Sequence, residues 1–377
     1  MKVGFFGWPT LSKFGGQQGN TTQFSSTRPP RARLDHPPGK IRAVLDPGRG
    51  RSPFAGAHAL VTGGLGFIGS NLAIELAGQG AEVTIVDALL PGYGGNLFNI
   101  EPVRGRVRVN VCDIRDVNAM NTLVAGQDFV FHLAGQVDHI LSLTDPFPDI
   151  DINVKGTAIL MEALKHHNPT ARVVYSGTRG EYGPAGSLPV SETAPTHPKG
   201  IYEISNLTAE KIISVYDEVH GIASVLLRIT NVYGPRAQMR HSRHGVVNWF
   251  TRVALDGGPM KVFGDGTIKR DFLYVDDCIE AILTSAVSDA ARGEILNVGS
   301  DRVTNFRQLA EELTALTGAP WEFAPFSPER KAQEPGDFVS DITKIGRLLG
   351  WRPKTPLSEG LTRTLAYYRE HKSRYWP

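Results

Sequence analysis

Residues 57–70 read AHALVTGGLGFIGS, and this stretch decides the fold. An apolar run over 57–62 predicts a buried strand. Three glycines follow at three-residue spacing, Gly63, Gly66 and Gly69, and a helical pattern comes after them. Glycine at these positions permits a tight turn and lets the following helix pack closely on the strand. Such spacing also occurs in ordinary strand-to-helix turns, so its meaning depends on the rest of the chain.

The rest of the chain alternates between strands and helices. Apolar runs predict further strands over 82–87, 107–111, 128–133, 172–176 and 224–228, and helices are expected near 152–167 and 203–219. Strands that alternate with helices form right-handed crossovers and a parallel sheet covered on both faces. The predicted fold class is therefore α/β, a Rossmann-type doubly wound parallel sheet with a smaller C-terminal part.

The first two predicted strands carry the features of a dinucleotide site. The backbone at Gly66 can approach a pyrophosphate, and the start of the next helix supplies partial positive charge. Asp87 ends the second strand, where a carboxylate can accept both hydroxyls of an adenosine ribose. The same carboxylate would repel a 2′-phosphate, so the sequence predicts NAD rather than NADP.

The composition separates residues 1–56 from the remainder. They hold nine Lys or Arg against two acids, are dense in Gly and Pro, and predict a basic, disordered extension. Three interpretations compete for it: a flexible tail or a mis-assigned start codon, a nucleic-acid or anionic-surface tether, and a transit peptide. The whole chain has a net charge of only +2, which gives no bias toward nucleic acid or membrane.

The chain has two cysteines, Cys112 and Cys278, and neither stands in a metal-ligand spacing. We therefore predict no metal site. We also predict a cytoplasmic location, because a chain of this size with only two cysteines is typical of a reducing compartment.

Several motifs resemble the extended short-chain dehydrogenases/reductases that act on nucleotide sugars. They are CDIR at 112–115, FHLAG at 131–135, LRITNVYGP at 227–235 and RDFLYVDD at 270–277. The resemblance covers about residues 57–370 and implies NAD as cofactor and a nucleotide-diphosphate sugar as substrate. The cofactor-binding residues that it implies are Gly63, Gly66, Phe67, Ile68, Gly69, Asp87, Asp113, Ile114, Leu133, Ala134 and Tyr202.

The same resemblance implies a catalytic set. Tyr202 stands where the family has its base, and Thr178 stands where it has a Ser or Thr hydroxyl. The family motif is Y-x-x-x-K, but this chain has Asn206 at the lysine position. Asn206 can hydrogen-bond a ribose but cannot supply the charge that lowers the pKa of the tyrosine.

The residues near Thr178 bear on the reaction. Related dehydratases carry Asp and Glu directly after the hydroxyl residue, whereas this chain has Arg179 and Gly180. Glu181 is one residue out of place and is expected to point elsewhere. The sequence therefore favours 4-epimerisation through a 4-keto sugar. The alternatives are another nucleotide-sugar dehydrogenase/reductase, a dehydratase, a 2-epimerase, or a catalytically weak NAD-binding sensor or scaffold.

The resemblance also implies a substrate site and a dimer. Thr178, Asn231 and Arg270 match substrate-binding positions, but Glu334 falls where related epimerases have an Arg that contacts the diphosphate. The helices near 152–167 and 203–219 match the family's homodimer interface. The expected domains are an NAD-binding part over 57–230, to which 273–300 returns, and a substrate-binding part formed by 231–272 and 301–370.

Overall fold

The strand before the glycine-rich turn lies inside a parallel sheet. The computed structural model describes residues 52–242, 245–328, 331 and 334–376. Within them, seven parallel strands form the sheet, in the order β7-β6-β5-β4-β1-β2-β3. The strands are β1 (His58–Thr62), β2 (Glu82–Asp87), β3 (Val107–Val111), β4 (Phe129–His132), β5 (Arg172–Thr178), β6 (Ser224–Ile229) and β7 (Ile295–Val298). This order confirms the predicted doubly wound α/β fold.

Helices connect the strands and extend beyond them. They are α1 (Phe67–Gly78), α2 (Val117–Leu123), α3 (His139–Thr144), α4 (Phe147–Asp149), α5 (Gly156–His167), α6 (Ile201–His220), α7 (Val246–Leu255), α8 (Val275–Val287), α9 (Phe306–Thr317), α10 (Thr343–Leu349) and α11 (Leu357–Tyr375). A π-helical turn over Ile150–Lys155 joins α4 to α5, so the helix expected near 152–167 has an irregular first turn. Short 3₁₀ turns span Leu97–Val103, Arg179–Tyr182 and Asp289–Ala291.

Three two-stranded pairs lie outside the large sheet. Leu273–Tyr274 runs parallel to Val232–Tyr233, and Trp321–Ala324 runs parallel to Met260–Phe263. Thr304–Asn305 is antiparallel to Lys269–Arg270. No helix among the described residues is long and apolar enough to cross a bilayer.

Both faces of the large sheet are buried. Successive residues of a strand point to opposite faces, so Val61 and Phe131 join one hydrophobic cluster while Leu60 and Val130 join the other. Double coverage explains why these strands are continuous apolar runs in the sequence. The first cluster also includes residues of α7, α9 and α11, so the expected division into cofactor-binding and substrate-binding parts stays a prediction.

The first residues that the structure describes correct the predicted N-terminal boundary. Phe54, which the composition assigns to the extension, is 2% exposed. Its ring centroid lies 5.2 Å from that of Phe129 and 6.5 Å from that of Phe131. The Ser52 hydroxyl donates to Gln79 at 2.6 Å. The folded part therefore begins before Ala57; one buried aromatic side chain gives no periodicity that a sequence pattern can reveal. Residues 1–51 of the predicted extension lie outside the described residues.

Candidate active site

The glycine-rich turn after β1 needs glycine at two of its positions. Gly63 has a φ of +70°, and a Cβ there would lie 2.8 Å from the backbone nitrogen of Ala134. A Cβ on Gly69 would overlap the carbonyl oxygen of Gly63. Gly66 is the N-cap of α1, so the first N–H groups of this helix are free of intrahelical partners. The turn therefore offers backbone donors without side-chain obstruction, as a pyrophosphate requires.

Asp87 is held in a fixed position at the end of β2. Its carboxylate accepts hydrogen bonds from the backbone N–H groups of Leu65 at 3.0 Å and Leu89 at 2.9 Å. Burial raises the pKa of Asp87, and these two hydrogen bonds oppose that shift.

A cleft of about 350 Å³ opens at the carboxyl ends of the strands, where ligands bind in open parallel sheets. It brings together most of the residues that the sequence singled out. Those residues are Gly63, Gly66, Phe67, Ile68, Gly69, Asp87, Asp113, Ile114, Leu133, Ala134, Thr178, Tyr202, Asn206 and Asn231. Their assigned roles in binding or catalysis stay predictions. Arg270 does not line this cleft.

Thr178 and Tyr202 meet in the cleft although they are distant in sequence. Thr178 ends β5 and caps the 3₁₀ turn that follows, while Tyr202 lies in the first turn of α6. Burial and the charge of Glu203 raise the pKa of Tyr202, whereas a hydrogen bond with Thr178 lowers it. The net shift is upward. A hydroxyl pair of this kind can exchange a proton with a substrate hydroxyl, but its phenol holds the proton tightly.

Asn206 lies one helical turn after Tyr202, and both its amide nitrogen and its amide oxygen have partners within the fold. Its side-chain amide donates to the carbonyl oxygen of Tyr202 at 2.8 Å, and its Oδ1 accepts from the hydroxyl of Tyr175 at 3.1 Å. Asn206 is buried. Lys211 does not substitute for the missing lysine, because it is largely exposed and bonds to Glu210.

His139 also lines the cleft, and the sequence analysis did not single it out. It is the first residue of α3, just beyond the carboxyl end of β4. Its ring centroid lies 4.5 Å from that of Tyr202, and its Nδ1 is 2.6 Å from Oε1 of Glu203. Its position in the sequence could have identified it as a site residue. A titratable residue shortly after a parallel strand lies on the edge of the sheet where ligands bind.

Arg270 forms an ion pair with Glu334, which the sequence did not predict. Its guanidinium donates to Glu334 at 2.6 Å and to the carbonyl oxygens of Lys269 and Gly336. Glu334 is the residue that the family resemblance aligns with an Arg of related epimerases, and that alignment stays a prediction. The positive charge of Arg270 is therefore compensated by the negative charge of Glu334. The sequence at either position alone does not indicate this ion pair.

Arg179 lies beside this pair and contacts a predicted substrate residue. Its Nε donates to the side-chain oxygen of Asn231 at 3.0 Å, and its guanidinium stacks 4.9 Å from the ring centroid of Phe338. Burial and the charge of Arg270 lower the pKa of Arg179 to about 10. Arg179 thus places a positive charge at the position that the family resemblance aligns with an acid of the dehydratases.

Glu181 points into the core, as expected from its displaced position. Its Oε1 accepts from the backbone N–H of Thr178, and its Oε2 accepts from Arg228, each at 3.0 Å. Arg228 also binds Glu210, and all three charged side chains are buried. Burial and the charge of Glu210 raise the pKa of Glu181. Glu181 therefore stabilises the 3₁₀ turn that Thr178 caps, from the side of the turn that is buried in the core. It does not line the cleft.

Comparison with known proteins assigns the chain to a protein family. The model of the NAD dependent epimerase/dehydratase family matches residues 59–299. The chain belongs to this family. It is 33% identical to UDP-glucose 4-epimerase of Mycolicibacterium smegmatis, over 83% of this chain and 98% of that protein. It is also 33% identical to dTDP-glucose 4,6-dehydratase of Streptomyces griseus, over 85% and 96% of the two chains.

A solved structure extends the similarity to three dimensions. The complex of Thermus thermophilus UDP-glucose 4-epimerase with NAD has a TM-score of 0.74 and 31% identity, over 83% of this chain and 99% of that chain. This epimerase/dehydratase family member thus uses NAD, and its own residues fit that cofactor. The glycine turn leaves room for a pyrophosphate, and the fixed carboxylate of Asp87 can accept the ribose hydroxyls.

Proposed function

We propose that this protein is a nucleotide-sugar 4-epimerase, which inverts C4 through a transient 4-keto sugar. The observation that carries the proposal is the hydroxyl pair of Thr178 and Tyr202 in a cleft where the two positions that follow Thr178, Arg179 and Gly180, carry no acid. Inversion needs oxidation and re-reduction alone, so this minimal set is sufficient for it.

The residues divide the work as follows. Bound NAD supplies a hydride acceptor that later returns the hydride. Tyr202 takes the proton of the C4 hydroxyl and gives it back, and Thr178 donates a hydrogen bond that favours the phenolate. Asn231 lies in the same cleft and is fixed by Arg179, so it can orient the substrate.

The residues after Thr178 distinguish 4-epimerisation from dehydration. Dehydration requires an acid to protonate the leaving hydroxyl and a base to remove a proton from the adjacent carbon. Arg179 carries the wrong charge for the first role, Gly180 has no side chain, and Glu181 is buried against Arg228. A 4,6-dehydratase would need both roles filled by other residues.

The test is incubation of the purified protein with a panel of UDP-, dTDP-, GDP- and CDP-sugars, with products resolved by chromatography. We expect a pair of C4 epimers that interconvert from either side. A 4-keto-6-deoxy product would instead show a dehydratase, and a C2 epimer would show a 2-epimerase.

A second candidate is an NAD-binding protein with weak or no turnover. The raised pKa of Tyr202 and the neutral Asn206 favour it, because both reduce the phenolate fraction. Binding of NAD without conversion of any sugar in the panel would support this alternative.

We also propose a homodimer and a cytoplasmic location. The dimer is supported by exposed apolar side chains on α6, where Ile204, Val215 and Val219 are 44%, 50% and 64% exposed. The location is supported by the free thiols of Cys112 and Cys278.

A further inference from the structure

Arg179 is a cation without an ion-pair partner among the described residues. Its one hydrogen bond within them runs from Nε to the side-chain oxygen of Asn231 at 3.0 Å. A guanidinium has five N–H donors, so the four on its two terminal nitrogens remain available. Arg179 retains exposed surface, and none of its nitrogens is among the buried polar atoms that lack a partner. A ligand that arrives from solvent can therefore reach them.

Three carboxylates act on the charge of Arg179 from a greater distance, and each is bound to another group. These pairs are Glu334 with Arg270, Glu203 with His139, and Asp271 with the hydroxyl of Thr230. The loss of hydrating water around Arg179 and the charge of Arg270 outweigh the three acids, since the pKa of Arg179 is lowered. An anionic group that a ligand brings into contact with Arg179 would offset this unfavourable environment.

The guanidinium of Arg179 is held in a fixed orientation. It lies 4.9 Å from the ring centroid of Phe338, which is 1% exposed, while Asn231 holds its Nε. A planar guanidinium that is already oriented loses little freedom on binding, and its fork matches the two oxygens of a carboxylate. These contacts favour a bidentate site for an anion.

The position of Arg179 in the chain indicates which anionic group it meets. It follows Thr178 directly, so their Cα atoms are ~3.8 Å apart, and both Thr178 and Asn231 line the cleft. In a nucleotide-linked hexose, the diphosphate is attached at C1, across the ring from C4, whereas C6 is attached to C5, the neighbour of C4. A residue beside the group that acts on C4 is therefore better placed for an anion at C6 than for the diphosphate.

We propose that Arg179 binds a carboxylate at C6 of the sugar, so that the preferred substrate is a nucleotide-linked uronic acid. This proposal rests on the proposed function, because it takes C4 as the carbon beside Thr178. A neutral sugar would leave Arg179 without its anion. Arg179 thus determines specificity and takes no part in the transfer of the hydride or the proton.

Calorimetric binding to the full-length, NAD-loaded protein tests the proposal without turnover. UDP, dTDP, GDP and CDP first identify the preferred base, and the glucose and glucuronate derivatives of that nucleotide are then compared. We expect the glucuronate derivative to bind about 10–100-fold more tightly than the glucose derivative, the usual gain from hydrogen bonds between charged groups. Equal affinities, or no binding of the glucuronate derivative, would overturn the proposal.

Substitution of Arg179 identifies the group that it holds. Arg179→Gln keeps a donor for Asn231 but lacks the charge and the fork, so it should abolish the preference for the glucuronate derivative and leave the affinity for the nucleoside diphosphate unchanged. An equal loss of affinity for the nucleoside diphosphate would assign Arg179 to the diphosphate and refute the proposal. Arg104→Gln, which removes an exposed positive charge outside the cleft, is the matched control and should keep the preference.

A folding control accompanies the variant. Unchanged NAD affinity in Arg179→Gln shows that it is folded. If it fails to fold, Arg179→Lys keeps the charge but not the fork, and it should bind the glucuronate derivative more weakly than the wild type does. Undiminished binding in Arg179→Lys would then contradict the bidentate site.

Product analysis separates this proposal from the proposed function. We expect the glucuronate derivative to yield its C4 epimer, with a kcat/KM at least about 10-fold above that of the glucose derivative. If the glucuronate derivative binds in an Arg179-dependent manner but gives a decarboxylated product or none, the proposed function fails while the carboxylate site stands. If the glucose derivative is epimerised with the higher kcat/KM, the carboxylate site fails while the proposed function stands.

Discussion

Tyr202 is the residue on which the proposed chemistry depends most directly. We expect Tyr202→Phe to lower turnover by about 10²–10⁴-fold, the usual contribution of a general base, because phenylalanine cannot accept the proton. NAD binding should survive, since the glycine turn and Asp87 are unchanged. Turnover is measured by product chromatography and NAD affinity by calorimetry. Tyr216→Phe, on the same helix, is the matched control; near-normal turnover in Tyr202→Phe would remove the mechanism.

Asp87 is the residue that should decide between the two nicotinamide cofactors. Its carboxylate is fixed by two backbone N–H groups and lines the cleft, so a 2′-phosphate would meet a like charge. We expect NAD to bind at least 10-fold more tightly than NADP, and Asp87→Ser to narrow that ratio. Calorimetric titration of both proteins with both cofactors gives the four affinities. Equal affinity of the wild type for NAD and NADP would refute this role.

At the scale of the element, the irregular helix entry over 147–155 contains a buried acid. Asp149 accepts from Asn153 at 3.0 Å, and burial raises its pKa to about 6. A carboxyl whose pKa is raised by folding stabilises the fold below its unfolded pKa of about 4 and loses that contribution as the pH rises through 6. The folded protein therefore favours protonated Asp149.

The prediction for this element is a stability difference that depends on pH. Asp149→Asn cannot ionise but can still accept from Asn153. Relative to the wild type, its free energy of unfolding should rise between about pH 4 and pH 8 by on the order of 2 kcal/mol. Urea unfolding at both pH values measures it. Asp151→Asn, at a half-exposed site in the same turn, should show little of this dependence. A pH-independent difference for Asp149→Asn would contradict the assignment.

At the scale of the whole molecule, the exposed apolar residues of α6 predict association. Val215 and Val219 lie one turn apart on this helix and are 50% and 64% exposed. We expect two copies per particle in light scattering, and we expect Val215→Arg to shift the protein toward the monomer because it would bury an unpaired charge. Val111→Arg, at a 62% exposed site on β3, is the control and should leave the mass unchanged. A wild-type monomer would exclude the dimer.

The sequence by itself determined the sheet, the cofactor turn and the family resemblance. Most of these features are local: a buried strand is a short apolar run, and the overlap that forces glycine at Gly69 arises from Gly63 in the same turn. The predicted strands therefore match β1–β6 to within a few residues. Most of the cleft residues could also be predicted, because they follow predicted strands and the carboxyl ends of parallel strands meet at one edge of the sheet.

Only the tertiary structure decided how the charges pair. Arg270 meets Glu334, Glu181 meets Arg228, and His139 meets Glu203, in each case across tens of residues of chain. Such contacts leave no periodic signal, since they depend on which side chains the packed elements bring within hydrogen-bonding distance. The charged groups that surround Tyr202 could therefore not be predicted from the sequence. A buried charge acts on its neighbours in space, and spacing along the chain does not specify those neighbours.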